Sequence, residues 1–264
     1  MARPVIALLT DFGTRDHYVG TMKGVVLGIC ADAVCVDITH DIPAQDVLAG
    51  VVELAASFRY FPPGTIFLVV VDPGVGSARR GIAVEAGGYR FVAPDNGVLT
   101  AALDSEENPI AVELTDAKYA RPTISRTFEG RDRFAPAAAW LATGVALSAL
   151  GRPASTLTRV EIPRPRLAEG ELHGEVLRVD RFGNLITNID RAMFESFAAQ
   201  GTVDVRIGSH TRPAFVSTYA DVAPGEICAL FGSSEHIELA ANGANAAEIL
   251  HIGRGAPVHI ARRA

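Results

Sequence analysis

The chemistry this sequence offers first lies in acids and arginines spaced so that they can meet. Asp72 ends the apolar run Ile66–Val71 and opens the turn Asp72-Pro-Gly-Val-Gly-Ser-Ala-Arg79-Arg80. Asp72 therefore stands just beyond a strand end, where ligands bind, with two arginines seven and eight residues on; turn capping with the arginines in solvent is the alternative. Asp11 ends a second apolar run, Val5–Leu9, in Thr10-Asp-Phe-Gly13. A carboxylate at such a strand end can accept hydrogen bonds from the vicinal hydroxyls of a ribose, or again cap a turn. Arg126-Thr-Phe-Glu-Gly-Arg-Asp132 precedes an Ala-rich helical stretch, where Asp132 can serve as N-cap with Pro136 in the first turn. Val179-Asp-Arg-Phe-Gly-Asn-Leu-Ile-Thr-Asn188 gathers a carboxylate, an aromatic ring and two carboxamides, and Gly232–Ala247 adds hydroxyls and further carboxamides. Each of these is also compatible with turn chemistry. No Gly-Lys-Ser/Thr phosphate loop is present and no dinucleotide fingerprint follows Asp11, which argues against a P-loop nucleotidase. The histidines, His40, His210 and His236 among them, and the cysteines show no metal-ligand spacing.

The elements that must position these groups follow from periodicity. Ile66–Val71 has six apolar residues, four of them β-branched, and predicts a central strand of a buried parallel sheet. Ligands bind beyond the carboxyl ends of such strands. Strands at Val5–Leu9 and Val34–Ile38 and helices over Tyr18–Ile29 and Asp46–Tyr60 complete a β-α-β-α-β pattern, the mark of a doubly wound sheet. Gly81–Glu85 and Tyr89–Ala93 flank a Gly-Gly hairpin, followed by a short helix at Val98–Leu103 and a strand at Ala111–Leu114. After a Pro-containing stretch come six short strands: Gly174–Val179, Leu185–Ile189, Val203–Ile207, Ile227–Phe231, Ile237–Ala240 and Pro257–Ile260. That spacing predicts an antiparallel β domain or barrel. The expected organisation is an α/β domain over 1–154, a linker over 155–170 and a β domain over 171–264.

Composition narrows the partners. A chain of 264 residues that is 48% hydrophobic can bury a sizeable core. Its net charge of −6, with scattered basic residues, argues against nucleic acid. No apolar run reaches membrane-spanning length, and no signal pattern opens the chain. Cys30, Cys35 and Cys228 are odd in number and read as reduced residues of a cytoplasmic protein.

Taken as an ordered set, seven stretches resemble one family: Thr10-Asp-Phe-Gly13, Tyr18-Val-Gly-x-Met-Lys-Gly24, Val71-Asp-Pro-Gly-Val-Gly-Ser-x-Arg-Arg80, Ala93-Pro-Asp-Asn-Gly97, Phe128-x-Gly-Arg-Asp132, Asp180-x-Phe-Gly-Asn-Leu-x-Thr-Asn188 and Glu238-x-Ala-x-Asn-x-Ala-Asn-Ala-Ala247. They resemble the S-adenosyl-L-methionine (SAM) hydroxide adenosyltransferases, the SAM hydrolases related to SAM-dependent fluorinase and chlorinase. The resemblance implies a Rossmann-like parallel-sheet N-terminal domain joined to a small antiparallel β-barrel-like C-terminal domain. It implies a homotrimer with active sites between the N-terminal domain of one subunit and the C-terminal domain of the next. It also implies hydrolysis of SAM to adenosine and L-methionine, with SAM as substrate and neither cofactor nor metal. Asp11 would hold the ribose hydroxyls, Tyr219 and Phe182 would stack on adenine, and Asn184 would bond the adenine edge. Asp180 would pair with the methionine ammonium and Ser233 would bond its carboxylate, with Ser234 standing where the halogenases carry an arginine. Asp72 and Arg79 match two of three groups that hold the attacking water. The third, a histidine in the family's Phe-His-Gly-Arg-Asp pattern, is Glu129 in this chain.

The chemistry of SAM fits that assignment. C5′ carries a sulfonium, so methionine leaves as a neutral thioether, and the barrier lies in delivering a desolvated oxygen in line. Arg79 would stabilise hydroxide character, while Asp72 orients the water or accepts its proton. Glu129 would place a second carboxylate in the same pocket, where like charges oppose one another. Asp72 would repel a halide, which argues against halogenation. Two other readings are a SAM- or adenosine-binding protein with altered chemistry at Glu129, and a metal-dependent nucleoside or phosphoester hydrolase using Asp11, Asp16, Asp46 and Asp72.

Overall fold

The computed structural model describes residues 3–104, 106, 108–199, 201–207 and 213–262; His210 lies outside the described residues. The chain divides into two units, Met1–Glu161 and Ile162–Ala264.

In the first unit, β1 (Val5–Thr10), α1 (Tyr18–Ile29), β2 (Val34–Thr39), α2 (Val47–Ser57) and β3 (Ile66–Val70) follow in turn. Then come β4 (Gly81–Ala86), β5 (Tyr89–Pro94), α3 (Thr100–Asp104), β6 (Ile110–Glu113) and α4 (Ala135–Ala142). The sheet order is β2-β1-β3-β5-β4-β6. Every residue of β3 is buried, as its unbroken apolar run requires. Alternation along the strands divides the core into two layers. Ile6, Leu8, Ile66 and Leu68 pack with Met22 and Val26 of α1 and with α4. Ala7, Leu9, Phe67 and Val69 pack with Leu54 of α2 and Ala102 of α3. Helices therefore cover both faces of the sheet.

The sheet is mixed rather than wholly parallel. The segments β2, β1, β3 and β5 run parallel, but β4 is antiparallel to both β5 and β6. The Gly87-Gly88 turn explains the reversal: φ values of +57° and +81° give the two-residue hairpin that glycine permits, and a tight turn must send the chain back.

A second departure concerns Asp132. Gly130–Phe134 forms a π-type turn that runs directly into α4, whose N-cap position is Phe134. The extra winding turns the Asp132 carboxylate into the protein. It is fully buried, accepts the Ser125 N–H at 2.9 Å and pairs with Arg131 and Arg121. Asp132 is therefore not the helix cap. Pro136 does lie in the first turn.

In the second unit, the six expected strands form with two short additions: β7 (Arg166–Ala168), β8 (Glu171–Val179), β9 (Leu185–Asp190), β10 (Val203–Ile207), β11 (Ala214–Phe215), β12 (Ile227–Phe231), β13 (His236–Ala241) and β14 (Pro257–Arg262). They make a nearly closed, barrel-like sheet in the order β10-β14-β8-β9-β13-β12-β11, with β7 on β8. All pairs are antiparallel except β11 with β12. Leu172, Val176, Leu185, Ile237 and Ile260 fill the interior, together with Phe194 and Phe197 of α5 (Arg191–Ala198). A short helix, α6 (Ala246–Leu250), follows β13. Within 155–170, Thr158 and Val160 bond back to Asp95 and Thr100 of the first unit, whereas Arg166–Ala168 is the β7 strand of the second. Among the described residues no helix is long and apolar enough to cross a membrane. The three cysteines are free thiols.

Candidate active site

Asp72 emerges at the carboxyl end of β3, and the turn after it returns Arg79 to the acid. Arg79 Nε donates to Asp72 Oδ1 at 2.9 Å, and Nη2 donates to Oδ2. Glycine is required within this turn. Gly76 has φ +72° and lies against the backbone of Arg126, where a Cβ would strike the carbonyl. Arg126 Nη2 donates to the Gly76 carbonyl at 2.7 Å. This contact docks the turn on the Arg126–Asp132 stretch and brings Glu129 to the third guanidinium nitrogen, with Nη1 donating to Oε2 at 3.1 Å.

The three side chains are at least nine-tenths buried, and Arg133 adds a second cation 3.2 Å from Glu129 Oε2. The two carboxylates are thus bridged by Arg79, and the like charges predicted to oppose each other are each paired. Burial alone would draw the Arg79 guanidinium down, but the Asp72 bond and charge, followed by Glu129, hold it above its ordinary value. A small polar molecule beside this cluster would meet a fixed cation and two acids. Phe128, the residue before Glu129, packs edge to face on Phe12 and Tyr18, which tilt against each other, with centroids 5.0–6.0 Å apart. Arg80 has a different task, pairing with Asp95 and donating to the Thr156 carbonyl at 2.6 Å.

Asp11 ends β1, beside β3 in the sheet. Its Oδ2 accepts the Gln45 N–H at 2.7 Å, so it does support a turn. Burial raises its carboxyl above the ordinary value, offset by backbone N–H groups, and the negative charge of Asp72 adds to the rise. Asp11 and Asp72 therefore act on one electrostatic neighbourhood.

The second unit contains a cavity of about 840 Å³ lined by Asp180, Phe182, Asn184, Tyr219, Ser233 and Glu238. All five residues expected from this half of the chain thus reach one cavity. Asp180 organises the turn between β8 and β9: Oδ1 accepts the N–H groups of Phe182 and Asn184, at 2.8 and 2.9 Å, and Oδ2 accepts Asn184 Nδ2 at 2.9 Å. Gly183 has φ +84° and abuts the side chain of Asn245, leaving no room for a Cβ. Phe182 is 75% exposed and Tyr219 39%, so both rings are open to a planar ligand. The Tyr219 hydroxyl donates to Glu238 Oε1 at 2.7 Å. Burial first, then Glu238, drives the phenol well above its usual range. Burial also raises the Glu238 carboxyl, with Asp180 adding to the rise and Tyr219 and Arg178 opposing it. Aromatic faces, carboxamides and acids in one cavity suit a polar heterocycle that carries a cationic group.

Two residues here received no role from sequence reasoning. Glu238 had a readable signal, a lone acid within the apolar strand Ile237–Ala241. Arg133 had only its spacing, four residues after Glu129, at which an acid and a base can pair on a helical turn. Asp11, Asp16, Asp46 and Asp72 do not converge as a metal ligand set. Among the described residues the one such group is Glu171, His173 and His259, in the second unit, where Arg206 already pairs with Glu171 at 2.6 Å. His40 is a buried residue whose Nδ1 lies 2.8 Å from Thr10 Oγ1.

Models of the SAM hydroxide adenosyltransferase N-terminal and C-terminal domains match residues 6–151 and 174–259. The chain is 39% identical to an (R)-S-adenosyl-L-methionine hydrolase of Salinispora tropica, covering 96% of this chain and 95% of the relative. It is 30% identical to a fluorinase of Actinopolyspora mzabensis, covering 99% and 98%. An uncharacterized conserved protein from Thermotoga maritima has a crystal structure that superposes with a TM-score of 0.92 at 35% identity, covering 97% of this chain and 100% of that one.

Proposed function

The chain belongs to the SAM hydroxide adenosyltransferase family, and we infer from this and from its site that it is a SAM hydrolase, releasing adenosine and L-methionine. The observation that carries the reading is the buried Asp72–Arg79–Glu129 cluster at the carboxyl end of a central strand. Water held there attacks C5′ in line with the departing sulfur. The new O–C5′ bond forms as the C5′–S pair returns to sulfur, and the water releases a proton. Arg79 stabilises the developing hydroxide, an electrostatic contribution that a buried site magnifies. Asp11 holds the ribose diol.

In the second unit Tyr219 and Phe182 enclose adenine, and Asn184 bonds its edge. Asp180 receives the methionine ammonium and Ser233 its carboxylate. The reaction needs neither cofactor nor metal, because no phosphoryl or carbonyl group has to be polarised. A halide would face the Asp72 carboxylate, and this opposes the halogenase alternative.

The nucleophile-holding residues belong to the domain assigned to 1–154 and the adenine- and methionine-binding residues to that assigned to 171–264, with 155–170 between. That division is what an active site shared between neighbouring subunits of a cytoplasmic homotrimer requires. The parallel order β2-β1-β3-β5, with the acids at strand carboxyl ends, supports the Rossmann-like description.

The test is incubation of the protein with SAM, with and without chelator, followed by chromatography for adenosine and methionine. Equimolar release, unaffected by chelator and lost in Asp72→Ala, is expected. Tight binding of SAM without adenosine release would overturn the reading in favour of a binding protein.

A further inference from the structure

The two acids of the cluster are not equivalent. Both oxygens of Asp72 take Arg79. Glu129 is different, because Arg79 Nη1 donates to Oε2 at 3.1 Å and Arg133 Nε stands 3.2 Å from the same oxygen as an ion pair, its N–H making no hydrogen bond among the described residues. Glu129 Oε1 accepts no hydrogen bond among the described residues. Arg133 is itself fixed. Its Nη1 donates to the Leu114 carbonyl at 2.9 Å, and its Cδ lies 3.0 Å from where a Cβ on Gly81 would stand. The charged groups facing Glu129 are Arg79, with Asp72 behind it, and Arg133 from its own turn; Asp132 is engaged instead by Arg131 and Arg121.

We infer that Arg133 is a positioning residue that holds Glu129 by Oε2 and leaves Oε1 to accept the proton of the attacking water. The inference rests on the SAM hydrolase reading and assigns a step within it. As oxygen bonds to C5′ and the C5′–S pair passes to sulfur, the water proton moves to Glu129 Oε1 and then to solvent. Atoms and charge balance: the sulfonium charge of SAM reappears as the released proton. A buried carboxylate needs a counter-charge to stay ionised, and two guanidinium groups on a single oxygen supply it without obstructing the other. Asp72 then serves as the anchor that fixes Arg79.

Steady-state kinetics of adenosine release test this on the full chain. Glu129→Gln should lower kcat at least about a hundredfold while leaving KM for SAM nearly unchanged. Glu129→His restores a proton acceptor and should recover turnover. Its acid limb should move to higher pH, since imidazole loses its proton above the carboxyl range. Arg133→Leu should reduce kcat about tenfold or more through misplacement of Glu129, again with KM kept, and Arg133→Lys should regain part of the loss. Wild-type turnover in Glu129→Gln, or equal impairment of the Leu and Lys variants at Arg133, would overturn the inference while leaving SAM hydrolysis intact. A wild-type protein that releases no adenosine would bring down both.

Discussion

Tyr219 combines two features at the scale of a single side chain: a ring face open to the cavity and a hydroxyl that supports a buried acid. The Glu238 carboxyl is raised by burial, so the native state favours its protonated form. For such a group the stability contribution is present at low pH and is lost as pH rises from the ordinary glutamate value of about 4.3 through the raised one. The Tyr219 hydrogen bond opposes that loss by stabilising the ionised form. Tyr219→Phe removes the donor and keeps the ring. The expected result is a loss of about 1–3 kcal/mol at neutral pH, with a small effect on KM for SAM. The gap to the wild type should narrow as pH falls toward about 4, because a protonated Glu238 no longer needs the donor. Urea unfolding of both proteins at neutral and acid pH measures this; a gap independent of pH would show that the hydroxyl acts through something other than Glu238.

Elements depend on residues whose role only the folded chain reveals, and Asp132 is the clearest case. Its carboxylate is held below the usual range: burial pushes it up, but the Arg131 bond, the Ser125 N–H and the charge of Arg121 outweigh that. The stability it contributes is therefore present above the ordinary aspartate value of about 3.9 and is lost as pH falls below it. Asp132→Ala leaves the Ser125 N–H without its acceptor and releases two partly exposed guanidinium groups to solvent, and should cost about 1–3 kcal/mol, a difference that shrinks on acidification. From sequence, the same residue reads as a helix cap, since an acid before an Ala-rich run with Pro136 fits that pattern. What overrides the pattern is the π-type turn, which no local periodicity announces. Strong periodicity was legible elsewhere. The bounds of α1 agree despite three glycines, and the six later strands lie where alternation places them. The helix α5 escaped, although Asp190 caps it and Phe194 and Phe197 share one face, because it is shorter than the windows in which a helical period is decisive. The antiparallel pairing of β4 with β5 was legible in the Gly87-Gly88 hairpin signal, whereas the parallel-sheet description drawn from the β-α-β rhythm holds only for β2, β1, β3 and β5. At the candidate site, the acids at strand ends and the motif residues lining the second unit's cavity can be read from sequence. The pairing of Arg79 with Glu129 cannot, because it arises only when the Gly76 turn docks on Arg126.

At the scale of the whole molecule, the proposed division of labour between units makes a claim that single-site substitutions do not reach. If each active site draws Asp72 from one subunit and Asp180 from its neighbour, a chain carrying Asp72→Ala and a chain carrying Asp180→Ala are each inactive alone but complement one another when assembled together. In a closed ring each interface joins the first unit of one copy to the second unit of the next. With equal amounts mixed at random, a site is intact when an Asp180→Ala chain supplies the first unit and an Asp72→Ala chain supplies the second. That arises at roughly one interface in four, so co-refolded or co-expressed variants should recover about a quarter of wild-type turnover per chain. The value is diagnostic because it depends on assortment rather than on the severity of either substitution. If each chain builds its site from its own two units, every site in the mixture contains one defect and no activity returns, whatever the oligomeric state. Mixing without dissociation supplies the internal control: preformed rings keep their composition, so recovery should appear only after subunits have been allowed to exchange.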